Sequence, residues 1–328
     1  MRERFRPSAP AQLPKGRLVH GSHRESAGIL ALAPMIAPHR PYWIYLPPGH
    51  TVAEQLPLVV MLHGCRQDAN SFGAGTRMNA LADRERFLVL YPEQRRLANP
   101  HQCWNWFDPS SQHGDGEAAI IAGMVRVITA DYNADSSRVY VAGLSSGGAL
   151  ANTLASCYAG LFAACAVHSG MMFQAARSIA DAERAMQHGS EFDPASAGEE
   201  AFRLSGHTAG TMPAIVIHGA RDDRVSEMNA DQIITQFVRM NQLAEKETGD
   251  SPTVETRIAT SRGGYRYEIR DYLFDDRPLL RRVAIEDLAH AWSGGDAQYP
   301  YNDPKGPDAT ALIWDFFGLH QRLPIHRS

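Results

Sequence analysis

The stretch that decides the fold of this chain is Arg138-Val139-Tyr140-Val141-Ala142-Gly143-Leu144-Ser145-Ser146-Gly147-Gly148. Its apolar part, Val139 to Ala142, is typical of a buried strand, and the residues beyond it, Ala149 to Tyr158, are typical of a helix. Glycines lie two residues before and two residues after Ser145, because strand and helix approach so closely at this kind of turn that larger side chains would clash. The G-x-S-x-G spacing predicts a nucleophile elbow that presents Ser145 beside a helix N-terminus, where negative charge is favoured.

A second interpretation of the same stretch needs no chemistry. A glycine-rich turn can contain a serine whose hydroxyl only caps the following helix. The strand and helix patterns lie on the correct sides of Ser145 for an elbow, which favours the catalytic interpretation. Because a short motif also arises by chance, the interpretation depends on what the rest of the chain supplies.

The composition is that of an ordinary globular protein. The 328 residues suffice for one large α/β domain, and 44% of them are hydrophobic and 21% charged. A net charge of −4 offers no basis for binding nucleic acid or an anionic membrane. No apolar run reaches the ~20 residues of a membrane span. We therefore expect neither nucleic acid nor a membrane span among the partners of this protein.

Residues 1–38 are predicted to form an N-terminal arm, followed by a single domain over residues 39–322. The first 26 residues are basic, contain three prolines and lack an apolar core, so they do not resemble a signal peptide. The apolar stretch Gly28 to Ala37 is short and interrupted by Pro34, and we interpret it as part of an early strand region, with a signal-like segment as the alternative. The localisation and the oligomeric state are left open.

Short apolar runs alternate with helical patterns along the chain, which predicts the α/β class with a mostly parallel central sheet flanked by helices. The predicted strands are Pro41 to Leu46, Leu56 to Leu62, Phe87 to Tyr91, Val139 to Ala142, Phe162 to Val167, Ala214 to Ile217, Tyr265 to Phe274 and Leu279 to Ile285. The predicted helices are Met78 to Arg86, Glu117 to Ala130, Ala149 to Tyr158, Ala180 to Met186, Asp231 to Leu243 and Asp308 to His320. Met171 to Met212 is expected to be a longer excursion with helical pieces, and whether it forms a cap over the site is left open. Thr248 to Gly264 is expected to be a surface loop.

A serine hydroxyl needs a base that takes its proton and an acid that orients the base, so both are expected at the ends of later strands. Asp222 follows a predicted strand and is the predicted acid, with Asp223 as the alternative. His290 lies in a glycine-containing loop after the last predicted strand and is the predicted base. His218, at a strand end, is interpreted as structural. The order Ser145, Asp222, His290 is that of α/β-hydrolases.

An oxyanion formed at Ser145 needs two preorganised N–H donors. The backbone N–H of Ser146, directly after the nucleophile, is predicted as one of them. The other is expected from the loop after Leu62, from Cys65 or its neighbour Gly64. A tight turn that ends a strand also explains this loop, and both interpretations can hold.

The cysteines predict neither a disulfide scaffold nor a zinc site, because they are few and their spacings match no zinc pattern. They are Cys65, Cys103, Cys157 and Cys165. Cysteines in such a chain are ordinarily small buried residues. We expect no metal and no cofactor.

Five groups of residues, spread in order over roughly residues 40 to 320, form a recognisable set. They are His63 to Gln67, Cys103 to Phe107, Gly143 to Gly148, His218-Gly219 with Asp222 and Val225, and His290 to Gly295. As a set they resemble the polyhydroxybutyrate depolymerase family of esterases, to which feruloyl and acetylxylan esterases are similar.

The resemblance implies an α/β-hydrolase catalytic domain, serine-ester chemistry through an acyl-enzyme and no cofactor. It also implies that Ser145, Asp222 and His290 act as a catalytic triad and that Cys65 contributes to the oxyanion hole. By the same resemblance Cys65 pairs with Cys103, and such a disulfide would favour an oxidising, extracytoplasmic compartment.

The substrate is the least determined part of the prediction. The expected partner is an ester, as a small molecule or a polyester oligomer, of the short-chain hydroxyalkanoate kind. Feruloyl or acetylxylan esterase activity is the alternative, and a serine peptidase or a non-catalytic binding protein of the same fold are interpretations of other kinds. Trp104, Trp106 and Trp292 are predicted either to line the acyl or alcohol pocket or to belong to the core. No polymer-binding module is recognisable, which leaves binding to crystalline polymer open.

Overall fold

The computed structural model describes residues 14–24, 39–206, 210–245 and 251–322. Within these ranges the chain forms a ten-stranded sheet with helices on both faces, and a separate two-stranded ribbon. The strands of the large sheet are β1 (Arg17–Arg24), β2 (His39–Leu46), β3 (Leu58–Leu62), β4 (Leu88–Pro92), β5 (Val139–Leu144), β6 (Ala164–His168), β7 (Ala214–Gly219), β8 (Thr253–Thr260), β9 (Arg266–Phe274) and β10 (Arg277–Ile285). The ribbon consists of β11 (Trp292–Ser293) and β12 (Asn302–Asp303).

The strand order in the large sheet is β1-β2-β4-β3-β5-β6-β7-β10-β9-β8. The six strands from β4 to β10 in this order pair in parallel, while β1 and β2 at one side and β9 and β8 at the other pair antiparallel. Parallel neighbours need crossover connections, and helices supply them. The predicted mostly parallel α/β fold is confirmed.

The helices connect these strands and cover the sheet. They are α1 (Ala69–Thr76), α2 (Met78–Glu85), α3 (Pro109–Gln112), α4 (Gly116–Asp131), α5 (Ser146–Cys157), α6 (Ile179–His188), α7 (Pro194–Leu204), α8 (Met228–Ala244) and α9 (Ala309–Phe317). Within the described ranges, no helix combines the length and apolar character that crossing a membrane requires.

The central strands are apolar throughout because both of their faces are covered. Side chains of β3 alternate between two hydrophobic clusters, as the two-residue period of a strand requires. Leu58, Val60 and Leu62 belong to the cluster that contains residues of α4, α5 and α8. Val59 and Met61 belong to the cluster that contains residues of α2 and α9. The uninterrupted apolar run is therefore the sequence signature of a strand between two helix layers.

Part of the predicted N-terminal arm belongs to the sheet. Strand β1 pairs antiparallel with β2, from Arg17 opposite Leu46 to Arg24 opposite His39. The prediction of an arm separate from the domain is wrong for these eight residues, because an edge strand is held by hydrogen bonds to its neighbour and needs no apolar run. The strand region predicted within Gly28 to Ala37 lies outside the described residues.

The surface loop predicted over Thr248 to Gly264 is wrong for its central part. Residues 253–260 form β8, which pairs with β9 over its whole length. Seven of its eight residues are exposed, so the strand needs few apolar side chains and its mostly polar sequence resembles that of a loop. The strands predicted over Tyr265 to Phe274 and Leu279 to Ile285 are present as β9 and β10, which pair antiparallel on either side of Asp275-Asp276.

The excursion predicted over Met171 to Met212 contains α6 and α7. Helix α7 packs closely on α8, since a Cβ added to Gly198 would lie 2.3 Å from the carbonyl oxygen of Gln236. Ala197 and Ala201 of the same helix are buried. Helix α7 is therefore part of the helix layer, and a covering role for the segment stays a hypothesis.

Candidate active site

The candidate site is formed by residues that follow the carboxyl ends of parallel strands, where open α/β sheets bind ligands. Ser145 comes directly after β5, and His168 is the last residue of β6. Asp222 follows β7, His290 follows β10, and Cys65 follows β3. Because these strands are neighbours and parallel, their ends meet at one edge of the sheet.

The turn at Ser145 has the geometry of a strained elbow. Its backbone adopts φ 57° and ψ −120°, a region that residues with a side chain rarely occupy. A Cβ added to Gly143 would lie 2.3 Å from the carbonyl carbon of Gly147. One added to Gly147 would lie 2.1 Å from the carbonyl oxygen of Leu62. The two glycines of the motif are therefore required by close backbone contact, as the sequence predicts.

The structure brings Asp222 and His290 together. Nδ1 of His290 donates to Oδ2 of Asp222 at 2.8 Å, and the other carboxylate oxygen accepts the backbone N–H groups of Arg224 at 2.9 Å and Val225 at 2.8 Å. The Asp222 side chain has no exposed surface, and 11% of the His290 side chain is exposed. An acidic side chain thus holds one nitrogen of the imidazole and leaves the other for chemistry.

The charge of Asp222 is maintained by its hydrogen bonds. Burial by itself would raise the pKa of this carboxyl, but the hydrogen bond and charge of His290 and the N–H of Val225 outweigh burial and lower the pKa to about 2. The alternative acid, Asp223, has a side chain that is 78% exposed and lies 3.7 Å from Arg224. Asp222 is therefore the carboxylate that contacts His290.

His218 is fully buried and lies near the same carboxylate oxygen of Asp222 that His290 contacts. Its Nε2 donates to the carbonyl of Val225 at 2.8 Å and lies 3.5 Å from Oδ2 of Asp222. Burial lowers its pKa. These contacts agree with the structural role predicted for it, because its ring holds the segment that in turn holds Asp222.

His168 is a residue of the site that sequence reasoning missed. Its carbonyl accepts the N–H of Ser145 at 2.9 Å, and its Nε2 accepts the N–H of Ser293 at 3.2 Å. The ring stacks on Trp292 at 5.1 Å between centroids. Burial lowers its pKa to about 3, so the ring is neutral. His168 therefore links the elbow to the loop that carries His290; its position at the end of β6 was the available signal.

The Oγ atom of Ser145 makes no hydrogen bond to His290 within the described part of the chain. Contacts between a nucleophile and its base commonly tighten only when substrate is bound. The structure therefore contains an acid–base pair at the edge of the sheet that also carries Ser145, and the contact of Ser145 with His290 stays a prediction.

Two N–H groups in the turns that carry Cys65 and Ser145 remain candidates for the predicted oxyanion hole. Among the described residues, the N–H groups of Cys65 and Ser146 donate to no protein acceptor. The N–H of Gly64, the alternative to Cys65, donates to Oε1 of Gln67 at 2.9 Å and is thereby occupied. The Sγ atom of Cys65 lies 3.4 Å from Oγ of Ser146, so the two candidate donors belong to adjoining segments.

The loop of Cys65 is held in place from several sides. Cys65 and Cys103 form a disulfide, as the family resemblance implies. The N–H of Arg66 donates to the carbonyl of His101 at 2.8 Å. His63 is fully buried, donates from Nδ1 to the carbonyl of Gly64 at 2.8 Å, and accepts the N–H of Gln94 at Nε2. Burial lowers the pKa of His63 to about 4, which keeps the ring neutral, as this pattern requires.

The three tryptophans proposed as pocket residues are buried. Trp104 and Trp292 are 0% and 1% exposed, and Trp106 is 4% exposed. The indole N–H of Trp104 donates to the carbonyl of His63, and that of Trp292 donates to Oγ1 of Thr310, each at 3.0 Å. These contacts favour the core interpretation, and contact with substrate stays a prediction.

A buried carboxylate, Glu117 of α4, supports the same region. Its Oε1 accepts from Arg40 at 2.8 Å, from Gln94 at 2.6 Å and from the side chain of Asn105 at 3.0 Å. Its Oε2 accepts the backbone N–H of Asn105 at 2.7 Å. Because Gln94 also contacts His63, this carboxylate connects the loop that contains Asn105 with the loop that contains His63 and Cys65.

Replacing Glu117 with glutamine is expected to destabilise the fold. The Arg40 side chain is only 8% exposed and would lose its charge partner, and breaking such a buried pair costs about 3–5 kcal/mol. Urea denaturation followed by circular dichroism measures the change in the free energy of unfolding. Glu183, exposed on α6, offers the matched control, whose glutamine variant should stay within about 0.5 kcal/mol of the parent. Equal stability of the two variants would contradict the role given to Glu117.

No group of three or more histidine, cysteine, aspartate or glutamate side chains that could hold a metal ion exists in the described ranges.

Comparisons with known proteins agree with this geometry. The family model described as esterase PHB depolymerase matches residues 40–261. Poly(3-hydroxyalkanoate) depolymerase C from Paucimonas lemoignei is 33% identical over 236 residues, which are 71% of this chain and 54% of that protein. Feruloyl esterase B from Neurospora crassa is 42% identical over 122 residues, covering 37% of this chain and 41% of that protein. The chain thus spans about half the length of the curated relatives it matches.

Among solved structures, an acetyl xylan esterase from Aspergillus awamori superposes with a TM-score of 0.67 at 21% sequence identity. The match covers 85% of this chain and 94% of that one. A putative dipeptidyl aminopeptidase IV from Bacteroides ovatus matches with a TM-score of 0.54 at 13% identity, and covers 93% of this chain but 36% of that one. At these identities the likeness concerns the fold.

Proposed function

Because the chain belongs to the esterase PHB depolymerase family, we propose that it is a carboxylic ester hydrolase that works through a serine acyl-enzyme. The observation that supports this best is the 2.8 Å contact between His290 and the buried Asp222 beside the strained Ser145 turn. A carboxylate, an imidazole and a serine in this arrangement activate a hydroxyl as a nucleophile. The proposed catalytic residues are Ser145, Asp222 and His290.

The first half of the reaction forms the acyl-enzyme. Oγ of Ser145 attacks the ester carbonyl carbon while Nε2 of His290 takes the hydroxyl proton. The carboxylate of Asp222 keeps the imidazole in the tautomer that has a free Nε2 and stabilises the imidazolium that forms. The N–H groups of Cys65 and Ser146 donate to the oxyanion, and loss of one such donor typically costs about 10²- to 10³-fold in rate.

The second half releases the acid. His290 gives its proton to the departing alcohol oxygen as the bond from carbon to this oxygen breaks. A water molecule then attacks the acyl carbon, with its proton taken by the same nitrogen, and the second tetrahedral intermediate collapses to free Ser145 and the carboxylic acid. Every proton transfer is carried by one imidazole, and this reaction scheme requires no cofactor.

The proposed substrate is a short-chain hydroxyalkanoate ester, as an oligomer or polyester. It rests on the relative from Paucimonas lemoignei, which is named a poly(3-hydroxyalkanoate) depolymerase. Feruloyl or acetylated polysaccharide esters are the second candidate, because the relative from Neurospora crassa is named a feruloyl esterase. Residues 39–322 are proposed as one catalytic domain, since both hydrophobic clusters share the same sheet.

A panel of substrates tests the proposal. We expect hydrolysis of p-nitrophenyl butyrate and of hydroxybutyrate oligomers, slower hydrolysis of methyl ferulate and acetylated xylan, and no cleavage of peptide p-nitroanilides. A fluorophosphonate probe should label the chain at Ser145. Absence of labelling together with absence of ester turnover would favour a non-catalytic binding protein. Preference for methyl ferulate would support the proposed esterase activity but replace the hydroxyalkanoate ester with a feruloyl ester as the proposed substrate.

A further inference from the structure

Strand β8 (Thr253–Thr260) presents an open edge of the large sheet. It is the last strand in the sheet order, and no strand of the described ranges pairs with its outer side. Seven of its eight residues are exposed. It contains no proline or lysine, and its pairing with β9 has no bulge, so it lacks three of the devices that keep edge strands from pairing. A long regular edge of this kind can accept another strand.

The register in which β8 can pair with a second copy of itself is restricted. In an antiparallel ladder, the backbone N–H and C=O of one residue both point to one side of the strand, and those of the next residue point to the other side. In a pair of β8 strands, a residue whose backbone groups point away from β9 must therefore lie opposite another such residue. The two-fold axis that relates two copies of β8 must therefore place one residue directly opposite its own copy. It cannot fall between two consecutive residues.

Charge selects one residue for this axis. An axis at Glu255 would place this carboxylate opposite its own copy, and an axis at Arg257 would place two guanidinium groups opposite each other. An axis at Thr256 instead places each Glu255 opposite an Arg257 of the second copy. Opposite charges stabilise cross-strand pairs and like charges destabilise them.

The same register pairs the apolar residues of β8. With the axis at Thr256, Val254 lies opposite Ile258 of the second copy on one face of the joined sheet. These side chains are 46% and 56% exposed in the single chain, and both are large hydrophobic residues. One face of the pairing is therefore apolar and the other carries complementary charges.

Glu255 lacks a charge partner within its own chain. It lies directly opposite Asp271 of β9, a pairing of like charges. Asp271 is compensated by Arg281 at 2.6 Å and by Arg257 at 3.0 Å, whereas Glu255 has no ion pair in the described part of the chain. An Arg257 from a second copy would supply the oppositely charged partner that Glu255 lacks among the described residues of its own chain.

We propose that two copies of this chain associate through β8, antiparallel about a two-fold axis at Thr256, to form one continuous sheet. The opposite edge of the sheet does not repeat this complementarity, because β1 contains arginines and histidines but no acidic residue. With one self-complementary edge per chain, the assembly closes at two copies. This proposal is independent of the proposed function.

Light scattering after size exclusion tests the association. The full chain should elute with twice the monomer mass of 36.1 kDa. Glu255→Arg should elute as a monomer, since it places two pairs of arginines opposite each other, and Arg257→Glu should do the same with glutamates. An equimolar mixture of the two variants should restore the dimer, because the two arginines of one chain then face the two glutamates of the other. Circular dichroism and turnover of a small ester check that each variant is folded.

A cysteine placed on the axis supplies a second readout. Thr256→Cys should form a covalent dimer on mild oxidation, because the two side chains are direct cross-strand neighbours. Thr253→Cys is the matched control: this residue faces Ala259 of the second copy and should form none. A monomer mass for the parent chain would overturn the proposal. A dimer that survives Glu255→Arg and yields no cross-link at position 256 would also overturn it.

Discussion

Replacing Ser145 with alanine is expected to reduce kcat for p-nitrophenyl butyrate by about 10⁴- to 10⁶-fold. The substitution removes the only atom that can form the acyl-enzyme, while the positive φ of this residue and the close packing of the flanking glycines are retained. The variant should therefore bind substrate and remain folded. Residual rate over the uncatalysed reaction would come from the oxyanion donors and from binding.

The measurement compares initial rates and fluorophosphonate labelling of the parent and Ser145→Ala. Ser251→Ala serves as the control, because Ser251 is exposed and far along the chain from the elbow. Coincident thermal unfolding curves of the two variants would show that the loss is chemical. Turnover by Ser145→Ala at a rate near that of the parent would contradict the assignment of Ser145 as the nucleophile.

The second large effect is expected from Asp222→Asn, at about 10⁴-fold in kcat. The backbone N–H groups of Arg224 and Val225 donate to Oδ1 of Asp222, so the amide oxygen of an asparagine would keep that position. Its NH₂ group would then face Nδ1 of His290 and donate to it. The imidazole would be held with its proton on Nε2, the nitrogen that must accept the proton of the serine.

Asp223→Asn is the matched comparison, because this neighbouring carboxylate is 78% exposed and does not contact His290. Its kcat/KM should stay within about twofold of the parent value, as expected for an exposed position. The pKa of Asp222, about 2, keeps this carboxylate ionised throughout the neutral range, so its own titration should not contribute to the pH dependence of kcat between pH 6 and pH 9. A larger loss in Asp223→Asn would exchange the roles of the two residues.

The central part of the fold could be predicted because burial on both faces leaves a clear sequence pattern. Strands β3 and β5 are apolar runs and β7 begins with one, and each strand is followed by a candidate residue of the site. The order of Ser145, Asp222 and His290 along the chain was sufficient to place them at one edge of the sheet, because parallel strands end on the same side.

The edges of the sheet could not be predicted in the same way. Strands β1 and β8 are mostly exposed, and their sequences satisfy no burial pattern. Hydrogen bonds to β2 and β9 hold them in place, and such bonds are made by any residue except proline. Exposed strands therefore contain too few apolar residues to be distinguished from a polar loop by their sequence.

The supporting residues of the site were missed for a different reason. Glu117 contacts Arg40, which lies 77 positions away, and the N–H of Ser293 is bonded by His168 across 125 positions. Neither contact leaves a mark in the local sequence, since a buried carboxylate within a helix resembles an exposed one. The tryptophans could be singled out from the sequence, but the sequence did not determine their role. Large aromatic side chains are found both in hydrophobic cores and in substrate pockets.

The tight contact between the backbones at Gly143, Gly147 and Leu62 has a consequence for mutational surveys of this protein. In a saturation library, the two glycines should be as intolerant of change as Ser145, although neither takes part in a chemical step. Loss of function at these positions would report steric exclusion, and loss at Ser145 would report a missing nucleophile. A related protein that had lost the serine but kept this fold would still need both glycines. A sequence search based on the glycines alone would therefore find inactive relatives as readily as active ones.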